Sequence, residues 1–252
     1  MRAIIVANWK MNPPTMREAR RHFEATKKMA ERAPHVSLII APPSIYLREL
    51  TSTYRGKRIS FAAQNVHFES KGGFTGEISP PQVKDAGASY VIVGHSERRY
   101  PPAGGGESNE DTRKKVSSAL ASKLTPILCV GEAERMRGGE HFAVIKEQLR
   151  TALADLAPAS AVRVIVAYEP AWAIGGEKTI SPREMQTVAI FISKTLVDMH
   201  GAIGHKVKIL YGASIGEENA AAMMEEGRVS GLIVGHVSID AKRFAALLQS
   251  LA

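Results

Sequence analysis

Eight short runs of β-branched and aliphatic residues recur along the chain, at 3–7, 36–41, 59–63, 90–93, 126–130, 162–167, 207–211 and 231–234. Between most of them lie longer stretches in which apolar residues return at i, i+3 and i+4, clearest at 16–32, 110–122, 141–153, 182–199 and 239–249. The short runs carry little polar alternation, as expected of strands covered on both faces, and such strands belong to parallel sheets. Strand and helix alternating in this way build a parallel α/β sheet through right-handed crossovers. Eight repeats in 252 residues suit a closed barrel better than an open doubly wound sheet. The sequence therefore predicts an α/β fold, an eight-stranded parallel (β/α)8 barrel, and no linker or low-complexity tract divides residues 1–252 into more than a single domain.

Composition narrows the partners. An apolar content of 44 % can fill a large core, and a formal charge of +8 favours anions: nucleic acid, acidic lipid or a phosphorylated metabolite. Basic residues in 16–32 alternate with acids, the pattern of a solvated helix face, and no aromatic-rich basic groove stands out, so no nucleic-acid partner is expected. Lys10 interrupts the first apolar run, and no stretch approaches the ~20 residues of a spanning helix, so neither signal peptide nor membrane partner is expected. The single cysteine, Cys129, sits inside an apolar run, which favours burial over reactivity and fits a reducing cytoplasm.

Several motifs fail on context. Gly212-Ala213-Ser214-Ile215-Gly216 follows a strand like a hydrolase nucleophile elbow, but downstream His236 precedes Asp240, and no histidine follows the aspartate. Gly175-Gly176-Glu177-Lys178-Thr179 resembles the end of a P-loop, with Glu177 where that motif needs glycine. Gly104-Gly105-Gly106 lacks a preceding strand, and the eight histidines lack zinc-ligand spacing, so no metal is expected.

What remains is polar chemistry at strand ends, where a parallel barrel keeps its active site. Asn8-Trp9-Lys10 follows the first run, His95-Ser96-Glu97 the fourth, and Gly212-Ala213-Ser214 and Gly235-His236 the last two. Glu169 follows the sixth, where Pro170 imposes extended geometry on it before a glycine-ended loop. A base, an imidazole, a cation and backbone donors can converge there. Taken singly, each has a bland reading as a loop acid, a core histidine or a surface lysine; the coincidence of several strand ends argues against it.

Three segments, Asn8-Trp9-Lys10-Met11-Asn12, 91–99 around Gly94-His95-Ser96-Glu97, and Tyr168-Glu169-Pro170-Ala171-Trp172-Ala173-Ile174-Gly175, resemble the triosephosphate isomerase family. Ala63-Gln64-Asn65, Gly73-Phe74-Thr75-Gly76-Glu77, Cys129-Val130-Gly131-Glu132 and Leu210-Tyr211-Gly212 extend the resemblance over nearly the whole chain, in the family's order. It implies a TIM barrel and a cofactor-free enzyme that interconverts dihydroxyacetone phosphate and D-glyceraldehyde 3-phosphate through an enediolate. Glu169 would be the base and His95 a neutral donor to the carbonyl oxygen. Lys10 would supply positive charge and Asn8 a further donor. Glu97 would orient its neighbours through a salt bridge, with Lys10 as the expected partner, and direct proton shuttling is the alternative. Backbone N–H groups of Gly175, Ser214, Gly235 and His236 would hold the phosphate, and closure of 170–180 would exclude water. Trp172 would be a packing hinge for that lid. The resemblance also implies a homodimer in which the loop around Phe74, Thr75 and Gly76 docks into a second copy, with Thr75 approaching that copy's Asn8 and Lys10.

Departures from the family pattern gather at the phosphate end. Ala213 and His236 stand where the family has glycine, and Gly176 and Glu177 replace threonine and glycine at the lid tip. The segment 100–107 is longer than usual, leaving the place of Glu107 open. These differences admit an alternative substrate, a four-carbon ketose phosphate such as erythrulose phosphate.

Overall fold

The computed structural model describes residues 2–134, 138–175 and 179–252. Eight strands close into one parallel barrel in sequence order: β1 (Ala3–Asn8), β2 (Val36–Ala41), β3 (Ile59–Ala63), β4 (Tyr90–Val93), β5 (Thr125–Val130), β6 (Ile165–Tyr168), β7 (Lys208–Gly212) and β8 (Gly231–Val234). Closure is made by β1, which pairs with β2 on one side (Ala3 opposite Val36) and with β8 on the other (Ile4 opposite Gly231). All eight expected strands are present; β7 lies one residue later than expected, and the larger correction is at the start of β6. Residues 162–164 are not strand: a short helix at Pro158–Ala161 ends in a turn there, and β6 starts at Ile165. Val162 and Val164 are apolar because they pack under that turn, a burial that local pattern does not distinguish from a strand.

The lack of alternation in the strands has a direct cause. Odd and even residues point to different hydrophobic cores. Val6, Ile39, Ala62, Ile92, Ile127 and Ile233 fill the barrel interior. Their neighbours Ile5, Ile40, Val91, Val93, Leu128 and Leu232 pack against the surrounding helices. Cys129 belongs to the interior set, and burial, with the Glu169 carboxylate near it, pushes its thiol well up.

Helices start where side chains can cap them. Thr15 accepts from the Glu18 N–H ahead of Met16–Arg32, and capping boxes join Ser108 to Asp111 and Ser181 to Glu184 ahead of Asn109–Ala121 and Pro182–His200. The last helix is Ala241–Ser250; residues 236–239, whose end sequence periodicity assigns to it, form a separate 3₁₀ turn. The shell also holds Glu140–Leu153, and three shorter helices, Ser44–Thr53, Pro80–Asp85 and Ala220–Glu225. Two of them have six residues, too few to establish a 3.6-residue period. No helix among the described residues is long and apolar enough to cross a membrane.

Candidate active site

The polar strand ends meet at the C-terminal rim. The Glu169 N–H donates to the Val130 carbonyl (2.8 Å), which extends the β5–β6 ladder by one residue before Pro170 ends it. The carboxylate is thus held at the mouth of the barrel, only 2 % exposed. Its Oε2 accepts from the Ser96 N–H at 3.3 Å, and Oε1 lies 3.7 Å from Nε2 of His95. His95 follows β4 and Gly94, and its Nδ1 accepts from the Glu97 N–H at 3.2 Å. A ring nitrogen that accepts carries no proton, so the proton of the neutral ring is on Nε2, the atom facing Glu169. The side chain hydroxyl of Ser96 is buried without a hydrogen-bond partner among the described residues.

Lys10 sits in left-handed backbone geometry (φ 52°), a conformation that costs about 1 kcal/mol or more in a residue with a Cβ. Two groups stabilise it. Asn8 Oδ1 accepts from the Lys10 N–H (3.0 Å), and Gln64 Nε2 donates to the carbonyls of both Lys10 and Ala41 (2.8 Å each). The Lys10 ammonium is ion-paired with Glu97, the partner anticipated from sequence. A cavity of about 400 Å³ opens between Lys10, His95, Glu169, Gly175 and the loops after β7 and β8. Asn8, Lys10 and His95 also wall a second cavity of about 400 Å³, whose far side is formed by Met11, Gln64 and the 76–78 segment.

A sequence model described as triosephosphate isomerase matches residues 3–251. The chain belongs to the triosephosphate isomerase family. It is 40 % identical over 247 residues to the triosephosphate isomerase of Endomicrobium trichonymphae, covering 98 % of this chain and 97 % of that one. The enzyme of Moorella thermoacetica is 39 % identical over 250 residues (98 % of each chain), and that of Aquifex aeolicus 38 % over 251 (99 % and 100 %).

The chain's departures from the family pattern at Ala213 and His236 fall on loops that border the cavity beside Glu169. Gly175 (φ 70°), Gly235 and His236 border the cavity. From the β7 loop it is Gly212 and Ala213 that line it, while Ser214 turns its hydroxyl to the Ala173 carbonyl (2.8 Å) and so ties the β7 loop to the start of the lid. Neither Ala213 nor His236 adopts a positive φ, so the side chains that replace glycine in the family pattern impose no backbone strain. Gly176 and Glu177, the lid-tip departures, lie outside the described residues.

Three residues matter more than the sequence alone indicates. Glu132, buried after β5, accepts from the Tyr168 hydroxyl (3.0 Å) and the Trp172 indole N–H (2.8 Å), and its carbonyl accepts from the Ala171 N–H. This fastens the segment after Pro170 to β6; burial, then the Glu132 carboxylate, push the Tyr168 phenol well up. An acid embedded after the apolar 126–130 run is the signal that marks it. Gln64, read from sequence only as part of the Ala63-Gln64-Asn65 motif, is the clamp on Lys10. The Glu107 side chain is only 5 % exposed and is bonded to Lys115 Nζ (2.7 Å) and Arg98 Nε (3.1 Å), which answers the question left by the long 100–107 segment.

Proposed function

We propose that Glu169 and His95 perform the family's proton transfer on a triose phosphate, interconverting dihydroxyacetone phosphate and D-glyceraldehyde 3-phosphate. The observation that carries this reading is the 3.7 Å approach of the buried Glu169 carboxylate to His95 Nε2 beside the Lys10 side chain. Glu169 removes a proton from the carbon next to the carbonyl, and the electron pair moves onto the carbonyl oxygen to give an enediolate. His95 donates to that oxygen from Nε2, and Lys10 adds positive charge, so the anion is stabilised as it forms. His95 passes its Nε2 proton to that oxygen and recovers one from the hydroxyl of the neighbouring carbon, and the proton held by Glu169 goes to the former carbonyl carbon as the neighbouring carbon becomes the new carbonyl. Its partner at rest, the Ser96 N–H, is released when the carboxylate turns to the substrate.

Phosphate is held by N–H groups of Gly175, Ser214, Gly235 and His236, which favour an anion through fixed dipoles. Closure of the lid fastened through Glu132 excludes water and protects the enediolate from losing phosphate. The relatives are named for the three-carbon substrate, and the four-carbon alternative gains nothing from them. We read residues 1–252 as one domain, working as a homodimer through the loop around Phe74, Thr75 and Gly76, in a reducing cytoplasm; the exposed Phe74 on that loop, and the exposed Met11 lining the second cavity, support the dimer.

The test is steady-state turnover of both triose phosphates by the wild type and by Glu169→Gln. The variant should lose at least about a thousandfold in kcat with KM within about threefold, because the base is gone and the phosphate contacts remain. A kcat within tenfold of wild type would remove Glu169 from the role of base.

A further inference from the structure

His22, on the helix Met16–Arg32, lies outside every motif of the site and is the one side chain that reaches from that helix to the loop after β8 through a hydrogen bond found among the described residues. Its Nε2 is 2.8 Å from the Ser238 carbonyl, an atom that only accepts, so Nε2 carries the proton and donates. Burial holds the imidazole below its ordinary range, opposed by the Ser238 carbonyl and the Asp240 carboxylate, so the ring is neutral at pH 7. Its face meets Trp9 edge-on, at 4.7 Å between centroids and 61° between planes, and Trp9 stands between Asn8 and Lys10.

Ser238 is fully buried and organises its turn. Its N–H (2.8 Å) and hydroxyl (2.7 Å) both donate to the Gly235 carbonyl, and the hydroxyl also lies 3.4 Å from the Asn8 carbonyl. The turn His236–Ile239 therefore has its inner side fixed, and its first residue, His236, borders the cavity together with Gly235. The carbonyl of Ser238 is the remaining polar group of that buried residue, and His22 satisfies it.

We infer that His22 is a positioning residue for phosphate binding: by holding the Ser238 carbonyl and packing on Trp9, it sets the loop after β8 relative to the end of β1 across the seam where the barrel closes. The inference rests on the proposed function in placing the phosphate at this loop. A buried carbonyl that loses its donor turns to find another, and here the turn would carry Gly235 and His236 with it.

Three variants test this: His22→Phe, which keeps the ring and loses the donor; His22→Gln, whose amide can donate over a similar reach; and His35→Phe. His35 donates likewise from a loop to a helix carbonyl, Leu248, at 3.1 Å, and borders neither cavity. The readouts are the dissociation constant of inorganic phosphate by titration calorimetry, and KM and kcat. His22→Phe should raise the phosphate constant and KM together by roughly three- to tenfold with kcat within about twofold, and His22→Gln should recover most of the loss. His35→Phe should lower the melting temperature without moving the phosphate constant. Should the phenylalanine variant fail to fold, His22→Asn, too short to span to Ser238, takes its place. An unchanged phosphate constant in His22→Phe, or an equal rise in His35→Phe, overturns the inference. If His22→Phe weakens phosphate while the wild type turns over neither triose phosphate, the catalytic reading falls and the role of His22 stands.

Discussion

Replacing Gly212 by alanine is the smallest change that should displace the base. A Cβ at Gly212 would lie 3.0 Å from Cγ and 3.1 Å from Oε1 of Glu169, and 3.2 Å from Cβ of Ile233. Carbon atoms pack at about 3.5–4.0 Å, so roughly 0.5–1 Å of separation has to be found. The methyl cannot lean away, because Ile233 stands on its other side. Glu169 has to recoil, and its 3.3 Å bond from the Ser96 N–H is already long. A misplacement near 1 Å in a reacting group costs about 10²-fold, so kcat should fall roughly 10- to 100-fold, about 1.4–2.7 kcal/mol in the barrel's transition-state stabilisation. Crowding should also lower stability by about 1–3 kcal/mol. The measurement is kcat and KM for both triose phosphates, with a urea melt to show that the variant is folded. KM should stay within about threefold, since the backbone donors of the phosphate loops are untouched. A folded Gly212→Ala protein with kcat within twofold of wild type would refute the reasoning, as would a rise in KM alone, which would place the methyl against the phosphate.

Two further outcomes follow from other parts of the molecule. Burial raises the Glu107 carboxyl, but the Lys115 ammonium and Arg98 outweigh it and hold it net below the usual carboxylate range. A carboxyl depressed in the folded state stabilises above its unfolded value of about 4.3 and loses that contribution as pH falls through the lower folded value. Glu107→Gln should therefore reduce stability at pH 7 by about 3 kcal/mol, by leaving Lys115 buried without its counter-charge, and flatten the decline between pH 5 and 3 in urea midpoints. An equally steep acid decline in the variant would show that another group is responsible. At the dimer loop, Phe74→Asp should halve the mass seen by sedimentation at micromolar protein and lower activity with it; an active wild-type monomer at every concentration would reject the interface.

How much of this could be read in advance depended on what kind of force placed each element. The eight strands were legible because both of their faces are buried, which leaves uninterrupted apolar runs such as the one containing Val91, Ile92 and Val93. The place of Glu169 was legible because an acid and a proline ending such a run leave few alternatives. Residues 162–164 misled because burial beneath a turn imposes the same side chains as burial in a sheet. The short helices at Pro80–Asp85 and Ala220–Glu225 are set by caps and tertiary packing, which no local period encodes. The supporting contacts of Gln64, Glu132 and His22 were invisible for a related reason. Each joins residues 23 or more positions apart, and only the closed barrel makes them neighbours.

Lys10 is a shared wall, with the substrate cavity on one face and the second cavity on the other. A side chain with two such neighbours cannot respond to them independently. Whatever fills the outer space fixes the ammonium for the inner one, and in the proposed homodimer the linkage would run equally in reverse: a phosphorylated inhibitor that orders Lys10 would tighten self-association by the same free energy with which self-association tightens the inhibitor. Dilution would then weaken binding of small anions before it unfolds anything, and saturating inhibitor would rescue the assembled state.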